Sequence, residues 1–237
     1  MRKLQAFFHH VKPKRILDVA TGNGSFIHLV TRMYDDYEYI VGVDTSKKGI
    51  DSANASFEND RIHFLEKDVF DMVDEQFDVI LLSNSLHHFD DLHKLFKQFE
   101  KLLSPNGFIV VNEMMKDHLS KAQKSHMKLH HFAAEIDRHL GRYHDETMTS
   151  KEILENIQAV TSKRIIDAWD MVYPIEQGTS DEELKSIDQT INRLVDKLED
   201  ESFKNQMHLK AEKMKKYIHK RGFELATQML LIMGERV

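Results

Sequence analysis

Apolar residues along this chain gather first into short runs and only later into helical stripes. Runs at residues 16–20, 39–43, 61–65, 77–82 and 107–111 each predict a strand, and their near-continuous apolar character suits a parallel sheet covered on both faces. Helices are predicted between them. Leu4, Phe7, Phe8 and Val11 stand at helical spacing over 1–11, ended before Pro13. Residues 25–33 form a second helix with Ser25 as its cap, 46–57 a third with Ile50, Ala53 and Phe57 on one face, and 91–103 a fourth. Residues 116–140 hold no proline or glycine and read as one long helix. The pattern then gives a short helix from Thr149 or Ser150, and a strand over 163–173 closed by Pro174. Two amphipathic helices follow over 180–199 and 202–220, the second stopped by Gly222, and a last strand covers 227–233. Strands alternating with helices predict an α/β fold, and the late region reads as strand, helical hairpin, strand.

Composition narrows the class. The chain has 237 residues, 41% of them apolar, enough for one α/β domain with an elaboration. A formal net charge of -6 gives no reason to expect nucleic acid or an anionic membrane as partner. Lys204 to Lys220 is basic and reads as a solvated helix face. Cysteine is absent, which excludes disulfides and agrees with a cytoplasmic protein. There is no signal-peptide core, and no run of about 18 apolar residues that could span a bilayer.

The chemistry begins where the first strand ends. Gly22 and Gly24 make a tight turn into the next helix, whose free N–H groups face whatever fills the turn. A dinucleotide fingerprint needs a third glycine where this chain has Ile27, so NAD is disfavoured; a phosphate-cradling Gly-x-x-x-x-Gly-Lys motif is absent. About twenty residues past the turn the second strand ends in Asp44, placed to accept both hydroxyls of a ribose or to cap the helix near Ser46. Asp68 follows the third strand. The fourth empties into Ser83-Asn84-Ser85-Leu86-His87-His88-Phe89-Asp90, at the edge where open sheets bind ligands.

These residues carry a resemblance. Leu17-Asp18-Val19-Ala20-Thr21-Gly22-Asn23-Gly24, Val41-Gly42-Val43-Asp44, Glu66-Lys67-Asp68-Val69 and Leu103-Ser104-Pro105-Asn106-Gly107 look like class I S-adenosylmethionine-dependent methyltransferases. The wording at 18–22 is most similar to the ubiquinone/menaquinone C-methyltransferase branch, with Ala20 where many members carry glycine. The resemblance spans residues 15–113. It implies a doubly wound, mostly parallel seven-stranded sheet of Rossmann-like type. The last two strands would be an antiparallel pair, and a helical insertion would precede the final one. Within one domain over 1–237, residues 12–113 would be the cofactor core, 114–160 a helical substrate-side segment and 174–222 an insertion that caps the site or makes a homodimer contact. The first helix would close over the cofactor.

The implied cofactor is S-adenosylmethionine, leaving S-adenosylhomocysteine as product. Asp18 would face its amino group, Asp44 the ribose, and Asp68 with the Val69 N–H the adenine. Ala20, Thr21, Gly22, Gly24, Thr45, Asn84 and Ser85 would lie beside them. His88 and His87 are the catalytic candidates, since histidine titrates near neutrality and could take a proton from a nucleophile. Glu113 is a candidate substrate contact at the crevice edge, and Trp169 and Tyr173 could wall the substrate side. The expected acceptor is a small molecule. A non-catalytic binding module and a nicotinamide oxidoreductase remain as alternatives.

The 116–140 segment is rich in histidine. His126 and His130 share a face with Asp137 two turns on, and His131, Glu135 and His139 make a second stripe; His144 lies just beyond. Three readings stand: pocket lining, a plain polar face, and a divalent metal. The first is preferred, with His126 and His130 facing substrate and no metal expected.

Overall fold

The computed structural model describes residues 1–172 and 179–235. Seven strands form a single sheet: β1 (Arg15–Val19), β2 (Tyr39–Asp44), β3 (Ile62–Glu66), β4 (Phe77–Ser83), β5 (Leu103–Met114), β6 (Arg164–Met171) and β7 (Gln228–Gly234). Their order is β3-β2-β1-β4-β5-β7-β6. The pairs among β1 to β5 are parallel, while β7 runs antiparallel to both β5 and β6. The first three strands build outward in one direction and β4 starts again beside β1. Their carboxyl ends therefore part around a crevice, where ligands enter open α/β sheets.

Both faces are covered, which is why the central strands are largely apolar, while the edge strands β3 and β6 alternate between covered and exposed positions. On one face α1 (Arg2–Val11), α2 (Ser25–Thr31) and α3 (Lys47–Ser56) bury Leu4, Phe8, Ile27, Val30, Ile50 and Ala53 against Ile16, Ile40, Val79 and Leu81. On the other, α4 (Leu92–Leu102) and α6 (Ser150–Val160) lay Leu95, Phe96, Phe99, Ile153 and Ile157 on Leu17, Val43, Ile80 and Val111. Asp91 opens α4 by accepting from the Lys94 N–H, and Thr149 with Glu152 forms a capping box on α6.

A third apolar cluster lies off the sheet. Phe132 and Ile136 of α5 (Gln123–His139) pack with Ile191 and Val195 of α7 (Asp181–Asp196) and with Met207, Met214 and Ile218 of α8 (Glu201–Arg221). The hairpin expected before the last strand is present, and it buttresses α5. Gly222 ends α8 at φ 76°. Among the described residues no helix is long and apolar enough to cross a membrane.

Several expectations are corrected. The long helix over 116–140 begins only at Gln123. Before it, Lys116 N donates to the Met148 carbonyl, Asp117 accepts from the Ser150 N–H and hydroxyl, and His118 sits at φ 55°. These contacts tie the segment to the start of α6 and hold residues 116–118 out of helical geometry. Ser25 does not cap α2: the cap position is Gly24, and no side-chain bond is made there. Trp169 packs in the α1-side core with Lys3 over its ring, away from the crevice. The α1 helix likewise seats Leu4 and Phe8 in that core instead of closing over the crevice. Tyr173 and Pro174 lie outside the described residues.

Candidate functional site

The turn after β1 is built from left-handed residues. Ala20, Gly22 and Gly24 take φ of 52°, 54° and 79°. Thr21 between them donates its N–H to Val43 and accepts from Gly24 N, and its hydroxyl donates to Asp18 Oδ2 at 2.6 Å. The two glycines serve different ends. A Cβ on Gly24 would stand 2.7 Å from the Phe57 ring and 3.1 Å from Phe64, so its bareness lets α2 seat on the sheet. A Cβ on Gly22 would meet nothing within 4 Å. It would project into open space, and Gly22 lines a cavity of about 870 Å³.

That cavity lies along the carboxyl ends of β1, β2 and β4. Asp18, Ala20, Thr21, Gly22, Asp44, Thr45, Asp68, Val69, Asn84, Ser85 and His88 all border it. Asp18 is 1% exposed, and its Oδ1 is buried without a hydrogen-bond partner. Burial pushes its pKa up to about 7; the Thr21 hydroxyl opposes this and nearby Asp44 adds to it. Asp44 accepts from Gly22 N at 2.8 Å and from Ser46 N at 2.7 Å, while Ser46 itself caps α3. Each of its oxygens keeps a lone pair for a further donor. Asp68 accepts from Phe70 N and opens a one-turn helix over Val69–Asp71. Asn84, at φ 49°, donates its N–H to Asn112 and leaves its own Oδ1 buried and unpartnered.

Beyond Asn84 the chain makes a second one-turn helix, Leu86–His88, and enters a cluster of four histidines. His87 is buried. Its Nδ1 meets Glu113 Oε1 at 2.9 Å, and its Nε2 has no partner. His144, from the loop after α5, meets Asp137 Oδ2 through Nδ1 at 2.9 Å and His130 Nε2 through Nε2 at 3.2 Å. One ring nitrogen from each of His87, His130 and His144 lies within 4.8 Å of the others. His88 stands beside them, its ring centroid 4.1 Å from that of His144, and borders the cavity. Burial first, then His87 and His144, hold His88 down to about 3; burial and the same neighbours hold His130 down to about 2. Both rings are neutral at physiological pH. Asp137, which receives the His144 bond, is held below the ordinary carboxylate range by that bond above all.

Most predicted residues gather here, but five do not take their expected places. Gly24 packs on Phe57 and Phe64 and does not border the cavity. Glu113 is no substrate contact. It is fully buried and accepts from Leu86 N, Met114 N and His87 Nδ1, so it fixes the 86–88 turn. Neither His87 nor His130 borders the cavity that His88 borders; His130 meets His144 instead. His126 is tied elsewhere: its Nδ1 accepts from Ala226 N and its ring meets Phe223. The second stripe is structural. His131 bonds to Thr147, Glu135 pairs with Lys210, and His139 stacks on Phe203. Missing from the sequence reading are Arg142 and Tyr143, which border the cavity with Asp137. They lie in a loop without periodicity, and nothing in the pattern marks them.

Comparison with known proteins follows the same outline. A family model described as a methyltransferase domain matches residues 10–178. The chain is 26% identical over 105 residues to a demethylmenaquinone methyltransferase of Thermotoga maritima, covering 44% of this chain and 45% of that protein. It is 27% identical over 119 residues to the protein of the same name in Bacteroides fragilis, covering 48% of each. The chain thus spans about half the length of these relatives. Among solved structures, a cyclopropane-fatty-acyl-phospholipid synthase-like protein from Lactobacillus casei superposes with a TM-score of 0.65 at 15% identity, covering 98% of this chain and 89% of that one. An S-adenosylmethionine-dependent methyltransferase from Thiobacillus denitrificans, solved with S-adenosylhomocysteine, gives 0.58 at 14% identity, covering 99% and 91%.

Proposed function

The chain belongs to the methyltransferase-domain family, and from that premise we propose that it transfers a methyl group from S-adenosylmethionine to a small-molecule acceptor. The observation that carries the reading is Asp18. A buried carboxylate oxygen without a partner, at the end of β1 and on the wall of a large cavity, is a receptor for a cationic group. The amino group of an amino-acid tail satisfies it. Gly22 leaves bare backbone beside it, and the start of α2 presents N–H groups suited to a carboxylate. Asp44 would take the ribose hydroxyls, and Asp68 with Val69 the adenine edge.

Bound there, the cofactor supplies a methyl group on an already activated sulfonium. The protein's own work is then orientation and the exclusion of water. Holding acceptor and donor in line contributes up to about 7–11 kcal/mol of barrier reduction. His88, kept neutral by burial, offers one N–H and one lone pair to orient the acceptor's nucleophilic atom. Glu113 acts through the 86–88 backbone and through His87, so it positions rather than reacts.

Calorimetric titration with S-adenosylhomocysteine tests the reading. The wild-type chain is expected to bind one equivalent, Asp44→Ala to bind at least tenfold more weakly, and NADH to give no heat. Equal affinity in Asp44→Ala removes Asp44 from the site, and saturable NADH binding overturns the cofactor assignment.

A further inference from the structure

We propose that His87, His130 and His144 form a binding site for one divalent first-row metal ion of the zinc type, behind the His88 wall of the cavity. The three residues come from the turn after β4, from α5 and from the loop following α5, so no sequence spacing announces them. The fold nonetheless brings one ring nitrogen of each within 4.8 Å of the other two.

The ring orientations make this a converging donor set. His87 and His144 each turn Nδ1 to a carboxylate, Glu113 in one case and Asp137 in the other, both at 2.9 Å. A carboxylate accepts, so Nδ1 carries the proton in both rings and the lone pair sits on Nε2. Carboxylates in this relation orient histidine ligands at metal centres and raise their basicity. His144 Nε2 lies 3.2 Å from His130 Nε2. Nitrogens about 2.0–2.1 Å from a tetrahedral zinc ion stand about 3.3–3.4 Å apart, so this edge of the tetrahedron is already set. The third donor, His87 Nε2, is buried with no hydrogen-bond partner. A hydrogen-bonded histidine cluster would have no reason to leave it unmet, whereas a metal ion satisfies it. Two carboxylates behind the rings also supply the negative charge that a dication needs.

Three protein ligands leave a fourth position. In a tetrahedral site that position is open to water or to an oxygen of a bound molecule. Asp137, which holds His144, and His88, packed against His144, both border the cavity. None of the three rings borders that cavity, so the metal site stands independently of the methyl-transfer reading above.

The test uses the full-length protein stripped with a chelator and titrated with Co2+. The expected result is one ion per chain with the intense visible bands of tetrahedral cobalt, displaced by Zn2+. His144→Ala and His130→Ala are expected to lose those bands and at least 100-fold in affinity. Glu113→Gln is expected to keep the stoichiometry and weaken binding about 10–100-fold. Circular dichroism of each variant reports folding. If a histidine variant does not fold, X-ray absorption of the wild-type complex decides, with three histidine nitrogens expected at about 2.0 Å. Absence of cobalt binding, octahedral spectra, or full binding by folded His144→Ala overturns the site. Asp44→Ala is expected to retain cobalt. Cobalt binding without S-adenosylhomocysteine binding in the wild type would defeat the functional reading and leave the metal site standing.

Discussion

Asp18 is where the cost of the site is concentrated. Its pKa is pushed up to about 7 in the folded chain, against an ordinary value of 3.8. Below pH 3.8 the carboxyl is protonated whether the chain is folded or not, and nothing is lost. Between the two values the unfolded chain releases its proton while the folded chain keeps it, so stability falls as pH rises. Above 7 the loss is complete, about 4 kcal/mol. Asp18→Asn is therefore expected to melt higher than the wild type at pH 8 and to converge with it near pH 4, by differential scanning calorimetry. Affinity for S-adenosylhomocysteine should run the other way in the wild type, rising through pH 7 as the carboxylate ionises. Parallel melting profiles would show that Asp18 ionises freely. The turn offers a second residue-scale contrast. Gly24→Ala forces a methyl against Phe57 at a left-handed position and is expected to cost about 2–4 kcal/mol in urea denaturation. Gly22→Ala meets no protein atom, so its main effect is expected in calorimetry, as weaker cofactor binding with about 1 kcal/mol of stability lost. The sequence showed both glycines but not their division of labour. Which neighbour stands where a Cβ would point depends on Phe57 and Phe64, residues of another helix end and another strand.

At the scale of elements, the strands and their acidic ends were legible because each is a local pattern. An apolar run needs cover on both faces, and its last residue meets the crevice. The substrate side was less legible. The 116–140 segment has helical composition throughout, yet tertiary contacts to Met148 and Ser150 hold its first seven residues out of the helix. His126 then points to Ala226 and Phe223, and the partner of His130 proves to be His144 from an aperiodic loop. What keeps α5 in place is the hairpin behind it. Ile191 and Ile218 are fully buried in the cluster joining α5, α7 and α8. Ile191→Ala is expected to cost about 2–5 kcal/mol. Because α5 carries His130 and Asp137 but none of the strand-end acids, turnover should fall more than S-adenosylhomocysteine affinity does. Stopped denaturation curves and calorimetry on the same preparation check this; equal losses would place the hairpin's influence on the whole chain instead of on α5.

Across the whole molecule, the sheet order makes the cavity a joint product of distant segments. The ends of β1, β2 and β3 supply the acids and the turn, and the end of β4 supplies Asn84 and Ser85. The stretch over 137–143 supplies the opposite wall through Asp137, Arg142 and Tyr143. The strand succession was readable from alternation and from the resemblance, and the antiparallel pairing of the last two strands followed from the latter. The packing of the hairpin against α5, and not directly over the cavity, was not readable, since any amphipathic helix carries the same stripe whatever face it meets. A ligand that bridges these segments binds only the folded chain and must raise its stability by mass action. At a concentration 100 times its dissociation constant the gain is about 2.7 kcal/mol. For a chain of this length each kcal/mol moves the midpoint by about 2–4 °C, so S-adenosylhomocysteine is expected to raise the melting temperature by about 5–11 °C. The same addition should shift Asp44→Ala by about half as much or less, since tenfold weaker binding leaves a gain of about 1.4 kcal/mol at that concentration, and NADH should shift neither protein. A wild-type midpoint that stays fixed under saturating S-adenosylhomocysteine would mean that these strand ends do not close on that ligand together.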